Sequence, residues 1–297
     1  MKRTIFKGAG VAIVTPMFED FSINYDKLGR LIDWQIENGT DAIVICGTTG
    51  EASTFTDEEH VEAIRFAVER TAGRVPVVAG AGSNDTAYAR WLCRESKQAG
   101  ADAVLQVTPY YNKTSQAGLV RHFNALADET DLPVILYNVP SRTGVNIKPA
   151  TYRELAKHPN IVAVKEANSD IAALARTRDL CGDELQIYSG NDDWIVPALS
   201  LGAIGVISVL SNVMPKTTHD ICELFFKGDV AASAKLQIDL IGLIDALFID
   251  VNPIPVKEAL NLMGLEVGKC RMPLVELSEE NRAALRAQLV KAGVIAK

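Results

Sequence analysis

The 297-residue sequence lacks the features that mark several specialised classes of protein. It has no run of basic residues, and 30 basic against 37 acidic side chains give a net charge of −7. A chain without a basic patch has little with which to displace phosphate counterions, so we expect no nucleic-acid partner. The apolar run Gly8–Val14 ends in Thr15-Pro16 and is too short for a signal peptide or a membrane span. We therefore expect no membrane partner either.

Patterns of metal ligands and of disulfide-forming cysteines are also missing. The five cysteines are an odd number, lie far apart and form no C-x-x-C motif, and the four histidines have no ligand spacing. The sequence therefore predicts no metal site, and its scattered thiols favour a cytoplasmic location. Aromatic residues make up only 6% of the chain, but hydrophobic residues together reach 48%. That fraction excludes a disordered chain and suffices for a large core.

Short apolar runs, many of them rich in β-branched residues, recur through the first two-thirds of the sequence. Amphipathic stretches separate most of them, and several of these stretches end in a glycine that suits a helix C-terminus. Eight such runs alternating with helices predict a (β/α)8 TIM barrel. The predicted strands are Val11–Thr15, Asp41–Ile45, Val75–Ala79, Asp102–Gln106, Pro133–Tyr137, Ile161–Lys165, Leu185–Ser189 and Ile204–Ile207. The predicted helices include Tyr25–Asn38, Asp57–Thr71, Thr86–Ala99 and Gln116–Thr130, and the terminal glycines are Gly39, Gly73, Gly100 and Gly202.

A doubly wound parallel sheet is the alternative architecture. Such a sheet usually has a glycine fingerprint after its first strand, and the nearest match here, Gly80–Asp85, has aspartate in place of the third glycine. No P-loop sequence occurs, so the barrel is favoured.

The alternation of strands and helices stops at about Phe226. The stretches Val230–Val251, Ile254–Met263 and Ser278–Ala292 have helical patterns, and Ser278 is placed to cap the last of them. The sequence therefore predicts a (β/α)8 catalytic barrel over residues 1–225, followed by a C-terminal helical extension over residues 226–297.

Three segments at predicted strand ends carry residues suited to catalysis. Lys165 closes a nearly all-apolar strand, and a lysine that loses solvation at a barrel mouth can attack a carbonyl as a neutral amine. Tyr137 ends the preceding strand and could move the protons that imine formation requires. The Gly47–Glu51 turn follows the second strand and could bind a small carboxylate through backbone N–H groups and threonine hydroxyls.

Each of these features also has a purely structural interpretation. A lysine at a strand end can simply reach solvent, a tyrosine can fill the top of a barrel, and two glycines can make an ordinary turn. The residues taken singly leave both interpretations open.

Taken together, the motifs resemble the dihydrodipicolinate synthase/N-acetylneuraminate lyase family of class I aldolases. The resemblance extends from Gly10 to the C-terminal helices and implies a TIM-barrel lyase. It also implies a covalent imine between Lys165 and pyruvate, with no metal and no organic cofactor. Its landmarks, in order, are Gly47–Glu51, Thr108–Lys113, Tyr137–Gly144, Val164–Glu166 and Ser189–Asp192.

The family's roles transfer to this chain position by position. Lys165 is implied as the imine-forming residue, and Tyr111 is implied to reach into the site of a neighbouring subunit. Arg142 is implied to bind the carboxylate of aspartate semialdehyde, for which a planar two-pronged donor is suited. The implied catalytic residues are Lys165, Tyr137, Thr49 and Tyr111. The implied substrate-binding residues are Thr48, Thr49, Arg142, Gly190 and Ile207.

Arg142 is the residue that best distinguishes between the activities found within the family. The Ser141–Gly144 segment and the Gly-Thr-Thr-Gly-Glu turn have the form found in the synthases, which condense pyruvate with aspartate semialdehyde in the diaminopimelate route to lysine. N-acetylneuraminate lyases generally lack the first segment and tend to have Gly-Ser-Thr-Gly-Glu in the turn. Those lyases and the 2-keto-3-deoxy acid aldolases are the alternative functions, and a catalytically silent barrel used as a regulator or scaffold is a third. A silent barrel is disfavoured because Lys165 and Tyr137 are both present.

The resemblance also bears on regulation and assembly. Feedback-inhibited relatives bind lysine at a dimer interface and have glutamate where this chain has Tyr88, and often histidine where it has Asp57. Because the lysine ammonium group would lose its charged partner, we expect weak or absent inhibition. The family usually forms homotetramers built as dimers of dimers, which is the assembly expected here. The implied lysine-site residues are Ala52, Ser53, Asp57, His60, Asn84, Tyr88 and Tyr110.

Overall fold

The computed structural model of the chain describes residues 2–296, and these residues form a closed barrel of eight parallel strands. Each strand pairs with the next along the chain, and the eighth closes the barrel against the first. The predicted (β/α)8 barrel is therefore confirmed. The strands are β1 (Gly8–Ala12), β2 (Ala42–Ile45), β3 (Val77–Gly80), β4 (Ala103–Val107), β5 (Val134–Asn138), β6 (Ile161–Glu166), β7 (Gln186–Ser189) and β8 (Gly205–Ser208).

Helices follow every strand, and further helices complete the chain. The thirteen α-helices of the described residues are α1 (Tyr25–Glu37), α2 (Asp57–Thr71), α3 (Thr86–Gln98), α4 (Gln116–Glu129), α5 (Pro140–Thr143), α6 (Pro149–Leu155), α7 (Ile171–Cys181), α8 (Ile195–Ser200), α9 (Pro215–Phe226), α10 (Val230–Asp239), α11 (Ile241–Leu247), α12 (Ile254–Leu262) and α13 (Glu279–Lys291). Helix α9 ends at Phe226, next to the predicted boundary between barrel and extension, and that division into two regions stays a prediction.

Most predicted elements match the observed ones to within one or two residues, but the first strand begins three residues earlier than predicted. Gly8 and Gly10 make the start of β1 look like a loop in the sequence. The structure explains Gly8, because its φ is +118° and a Cβ there would lie 2.1 Å from Asp41 Oδ2. A close approach of this kind is open only to glycine.

The prediction of one continuous helix over Val230–Val251 is wrong. The helix is interrupted at Leu240, and α11 ends at Leu247. The apolar residues Phe248 and Val251 extended the helical pattern in the sequence, yet they are 44% and 50% exposed and lie outside the helix. The segment that contains them leads into α12 through Asn252-Pro253.

Local signals at the other helix ends behave as predicted. The Ser278 side chain accepts a hydrogen bond from the Asn281 backbone N–H and so caps α13. The four glycines predicted to end helices have the positive φ angles that such positions favour, and these are Gly39, Gly73, Gly100 and Gly202.

The strands are buried on both faces, which is why they appear in the sequence as apolar runs without alternation. One apolar cluster lies between the strands and the surrounding helices, and a second cluster includes inward-facing residues such as Val44 and Tyr137. At the N-terminal end of the barrel, the ring of Phe6 stacks on Tyr188 at 4.3 Å, and the Tyr188 hydroxyl donates to the Phe6 carbonyl oxygen at 2.7 Å. The barrel is therefore a packed core.

None of the helices within residues 2–296 combines the length and the hydropathy needed to cross a bilayer.

Asp41 and His219 join the β1–β2 end of the barrel to helix α9. Asp41 Oδ2 accepts hydrogen bonds from the Ala9 backbone N–H at 2.7 Å and from His219 Nδ1 at 2.8 Å. The bond to Asp41 raises the pKa of His219 above its ordinary value. A histidine whose pKa is raised by folding stabilises the folded state below its unfolded pKa, and this contribution disappears as pH rises through the folded pKa.

We predict that His219→Gln lowers the free energy of unfolding more at pH 5.5 than at pH 9. The excess at pH 5.5 is about 0.5–1 kcal/mol, because both partners are partly exposed and water screens their interaction. Urea titrations of the variant and the original chain at the two pH values measure this difference. An equal loss at both would contradict the prediction.

Candidate active site

Tyr137 and Lys165 lie side by side at the C-terminal ends of β5 and β6. The parallel register pairs Tyr137 with Lys165 and Asn138 with Glu166. Both functional side chains are nearly buried, and Lys165 Nζ lies 4.3 Å from the centroid of the Tyr137 ring. The structure therefore brings an amine and a phenol together at the barrel mouth, where enzymes of this fold carry their reacting groups.

The Gly47–Glu51 turn follows β2 and lies beside this pair. Within it, the Gly50 N–H donates to the Gly47 carbonyl oxygen and the Glu51 N–H donates to the Thr48 carbonyl oxygen, each at 3.1 Å. Thr48 is exposed, whereas Thr49 is 2% exposed. A cavity of about 230 Å³ has both threonines, Tyr137 and Lys165 in its wall. A volume of this size suits small substrates.

Arg142 and Gly190 border the same cavity. Arg142 lies on the short helix α5 directly after β5, and its Nη2 donates to the Asn252 carbonyl oxygen at 3.1 Å. Gly190 follows β7, and a Cβ there would lie 2.7 Å from the Ala167 side chain. With Thr48 and Thr49, four of the five predicted substrate-binding residues therefore lie with the amine and the phenol.

Ile207 and Tyr111 are not among the described residues that border the two cavities of the site. Ile207 is fully buried in the interior cluster that also contains Tyr137 and Tyr188. Tyr111 is 90% exposed, on a backbone with φ of +68°. Its predicted role in the site of a neighbouring subunit stays a prediction.

Most of the predicted lysine-site residues surround a second cavity, of about 320 Å³, that also reaches Lys165 and Tyr137. Tyr88 stacks on Trp91, and its hydroxyl donates to Asp57 Oδ1 at 2.7 Å. Burial and this bond raise the pKa of Tyr88, so its phenol stays neutral. Asn84 is not among the residues of the cavity wall, and its carbonyl oxygen accepts a hydrogen bond from Asn112 Nδ2. The residues of the set in the cavity wall are Ala52, Ser53, His60, Tyr88 and Tyr110.

His60 contributes no charge to this second cavity. Its Nε2 lies 2.7 Å from the Gly80 carbonyl oxygen, and burial lowers the pKa of the ring below its ordinary value. At neutral pH the imidazole is therefore uncharged. Asp57 is the one residue with a formal charge among the seven predicted lysine-site residues.

Asn252 belongs to the site but was not predicted from the sequence. Its Nδ2 donates to Thr49 Oγ1 at 3.0 Å, and its carbonyl oxygen accepts from Arg142. Its Oδ1 is buried without a hydrogen-bond partner among the described residues. Asn252 lies in sequence 203 residues from Thr49, so no local pattern connects the two. Asn252 and Pro253 fall between the two predicted helices Val230–Val251 and Ile254–Met263, and an Asn-Pro step there is typical of a loop.

Glu166 is a second residue that sequence reasoning did not single out for a role. Its Oε2 accepts from the Tyr152 hydroxyl at 2.7 Å, and its Oε1 accepts from Asn138 Nδ2 at 2.9 Å and the Asn168 backbone N–H at 3.1 Å. Burial raises the pKa of Glu166 to about 7, although these hydrogen bonds oppose the rise. The carboxyl group ties β6 to β5 and to helix α6 behind the Lys165–Tyr137 pair.

Asp192 secures the last strand of the barrel mouth. Its Oδ2 accepts from the backbone N–H groups of Val209 and Leu210 at 3.0 and 2.8 Å. Burial raises its pKa, with the hydrogen bonds and the charge of Lys165 acting in the opposite direction. Within residues 2–296, no three side chains of the His, Cys, Asp or Glu type converge as a metal site.

Comparison with known proteins agrees with this arrangement. The model of the dihydrodipicolinate synthetase family matches residues 5–292. A 4-hydroxy-tetrahydrodipicolinate synthase of Lachnoclostridium phytofermentans is 58% identical over 292 residues, which cover 98% of this chain and 99% of that protein.

Two solved structures are also closely similar. A dihydrodipicolinate synthase of Acinetobacter baumannii, crystallised with pyruvate, superposes with a TM-score of 0.96 at 43% identity and covers 98% of this chain and 100% of its own. A synthase of Cyanidioschyzon merolae with lysine bound has a TM-score of 0.95 at 39% identity, covering 99% of this chain and 100% of its own. With the fold, the strand-end lysine and the near-complete match all in agreement, this chain belongs to the dihydrodipicolinate synthetase family.

Proposed function

We propose that the protein condenses pyruvate with L-aspartate 4-semialdehyde to 4-hydroxy-tetrahydrodipicolinate, in the diaminopimelate route to lysine. The observation that carries the proposal is the buried Lys165 amine over the Tyr137 ring, in a cavity that Arg142 also borders. Relatives that are 53% and 58% identical over nearly the full chain are 4-hydroxy-tetrahydrodipicolinate synthases, which supports the proposal.

The first half of the reaction activates pyruvate. The Lys165 amine attacks the pyruvate ketone carbon, water leaves, and the protonated imine draws electrons from the neighbouring methyl group. Loss of a methyl proton then gives an enamine. Thr48 and Thr49 hold the pyruvate carboxylate through the Gly47–Glu51 turn, and no metal or organic cofactor takes part.

Tyr137, Thr49 and Tyr111 form the proposed proton relay. Thr49 Oγ1 accepts from Asn252 Nδ2, so its own hydroxyl proton is directed elsewhere and is available to a relay partner. Tyr111 takes part from a neighbouring subunit. This role of Tyr111 requires at least a dimer. The proposed assembly is a homotetramer built as a dimer of dimers, which is usual in the family.

The second half joins the two substrates. The enamine carbon attacks the aldehyde carbon, and the aldehyde oxygen takes up a proton. Arg142 binds the semialdehyde carboxylate. The amine of the substrate then attacks the imine carbon, closes the ring and releases Lys165 as a free amine. Gly190 and Ile207 complete the proposed substrate-binding set, Gly190 at the cavity wall and Ile207 from the interior cluster that it shares with Tyr137.

A related pyruvate-dependent aldolase, acting on N-acetylneuraminate or on a 2-keto-3-deoxy acid, is the alternative. It shares the imine step, so the imine does not separate the two. Arg142 favours the synthase because it bears the charge suited to a short carboxylate substrate. Activity on a panel of sugar keto acids, without activity on aspartate semialdehyde, would favour the aldolase.

We predict that borohydride in the presence of pyruvate blocks the enzyme by reducing an imine on Lys165. Mass spectrometry of the peptides locates the adduct. Lys165→Arg, which keeps the charge but cannot form the imine, gives no adduct, and Lys148→Arg, an exposed control, gives the normal adduct. Absence of an adduct in the original chain would rule out the proposed mechanism.

Arg142→Ala is predicted to raise the KM for aspartate semialdehyde by about 10- to 100-fold, the loss expected for a charge-assisted hydrogen-bond pair. Borohydride trapping with pyruvate continues, because the imine forms without the second substrate. Steady-state kinetics with each substrate varied in turn measure the effect, with Arg121→Ala, an exposed arginine of α4, as the control. An unchanged semialdehyde KM would contradict the assigned role.

We predict that lysine inhibits the enzyme weakly or not at all. Asp57 is the one charged residue among the predicted lysine-site residues. It already accepts a hydrogen bond from the Tyr88 hydroxyl, so it is less available to a lysine ammonium group. Tyr88→Glu places two carboxylates side by side and is expected to create or strengthen inhibition, whereas Tyr88→Phe stays insensitive. Initial rates over a lysine titration test this. Strong inhibition of the original chain by sub-millimolar lysine would overturn it.

A further inference from the structure

We propose that the buried Glu51–Lys257 ion pair is a positioning device for the Gly47–Glu51 turn, and that it makes helix α12 part of the active site. The inference rests on the proposed function, because the ion pair would act on the turn whose Thr48 and Thr49 are proposed to hold pyruvate. Neither Glu51 nor Lys257 touches the reacting atoms.

The pair is almost completely shielded from solvent. The side chains of Glu51 and Lys257 are 1% and 2% exposed, and Lys257 Nζ lies 2.8 Å from Glu51 Oε1. Lys257 also donates to the Lys269 carbonyl oxygen at 2.6 Å, and Glu51 Oε2 accepts the Arg271 backbone N–H at 2.8 Å. Both charged groups are therefore paired and further hydrogen-bonded, as a buried ion pair requires.

Glu51 is part of the turn that it anchors. Its φ is +60° and its ψ is 25°, which is a left-handed backbone conformation that is unfavourable for most residues other than glycine. Its N–H closes the turn on the Thr48 carbonyl oxygen. Surrounding contacts must hold a glutamate in this conformation. The carboxylate bonds from Lys257 and Arg271 are contacts of that kind, and they act one residue beyond Gly50.

Helix α12 also touches the turn through a second contact. Lys257 lies in the first turn of α12, and Asn252 immediately precedes the Pro253 cap of the same helix. Asn252 Nδ2 donates to Thr49 Oγ1. The start of α12 therefore holds the carboxylate of Glu51 and the hydroxyl of Thr49 together, and a shift of this helix moves both.

The segment after α12 binds further residues near the turn through the side chain of Arg271. Arg271 Nη1 donates to the Thr54 carbonyl oxygen at 2.8 Å and to Glu59 Oε2 at 2.7 Å, and its Nη2 donates to the Phe21 carbonyl oxygen. These bonds hold the C-terminal segment against the residues that follow the turn. Among these contacts between the C-terminal segment and the region of the turn, the Glu51–Lys257 pair is the most deeply buried.

The charge pair is better explained by positioning than by stability. Replacing both members of a buried ion pair by well-packed apolar side chains of similar volume is often neutral for stability, because burial removes the hydration of both charges. Glutamine at position 51 is chosen because its side-chain oxygen can still accept the Arg271 backbone N–H. Removal of one member alone leaves an unpaired buried charge. A neutral double variant therefore separates the two effects.

The test compares Glu51→Gln/Lys257→Met with the original full-length chain. We expect the double variant to unfold at a similar urea concentration, and its KM for pyruvate to rise by about tenfold or more, since Thr48 and Thr49 are no longer held in register. Lys27→Met is the matched control, because the exposed Lys27–Glu266 pair also joins a barrel helix to the C-terminal region. We expect the KM for pyruvate of the Lys27→Met variant to equal that of the original chain.

An unchanged pyruvate KM in a folded double variant overturns the proposal. If that variant does not fold, Glu51→Gln/Lys257→Gln, which also removes both charges, is measured in its place, and an unchanged KM overturns the proposal there too. Borohydride trapping on the original chain runs in parallel. A missing adduct in the original chain overturns the proposed function, whereas a normal adduct with unchanged variant kinetics overturns only the positioning role.

Discussion

The parallel register between β5 and β6 is the constraint on which the site depends. It pairs Tyr137 with Lys165 and, one residue on, Asn138 with Glu166. Because side chains alternate between the faces of a strand, the first pair lies together and the second pair lies together behind it. The buried Glu166 carboxyl group bonds to Asn138 and to Tyr152 of α6, so the outer layer of the barrel holds the register of the inner one.

Much of the fold was predictable because each strand of a parallel barrel is buried on both faces. Such strands appear as uninterrupted apolar runs, and the intervening helices have amphipathic patterns. Helix α2 was predicted at its observed bounds, Asp57–Thr71. The errors arose where composition misleads. Gly8 is in β1 because a close backbone approach demands glycine, and Phe248 is apolar but lies outside the helix that its pattern indicated.

The residues of the site that end strands were also predictable, since their chemistry and position appear together in the sequence. Lys165 and Tyr137 are of this kind. Asn252 and Lys257 are different, because each acts on the Gly47–Glu51 turn from the far end of the chain. No local sequence pattern indicates such a contact, because the turn and the start of α12 come together only when the barrel has closed. Sequence therefore indicated the reacting groups more readily than the residues that support them.

The stacked Phe6 and Tyr188 rings have a consequence for the order of events. They fill the N-terminal end of the barrel, so reactants do not reach the site through that end. Both reactants must therefore reach Lys165 from the side of the barrel mouth, where two cavities border it. A first substrate held by a covalent bond cannot be displaced by the arrival of the second. The closed end of the barrel thus favours a reaction in which covalent attachment comes before the encounter of the two reactants.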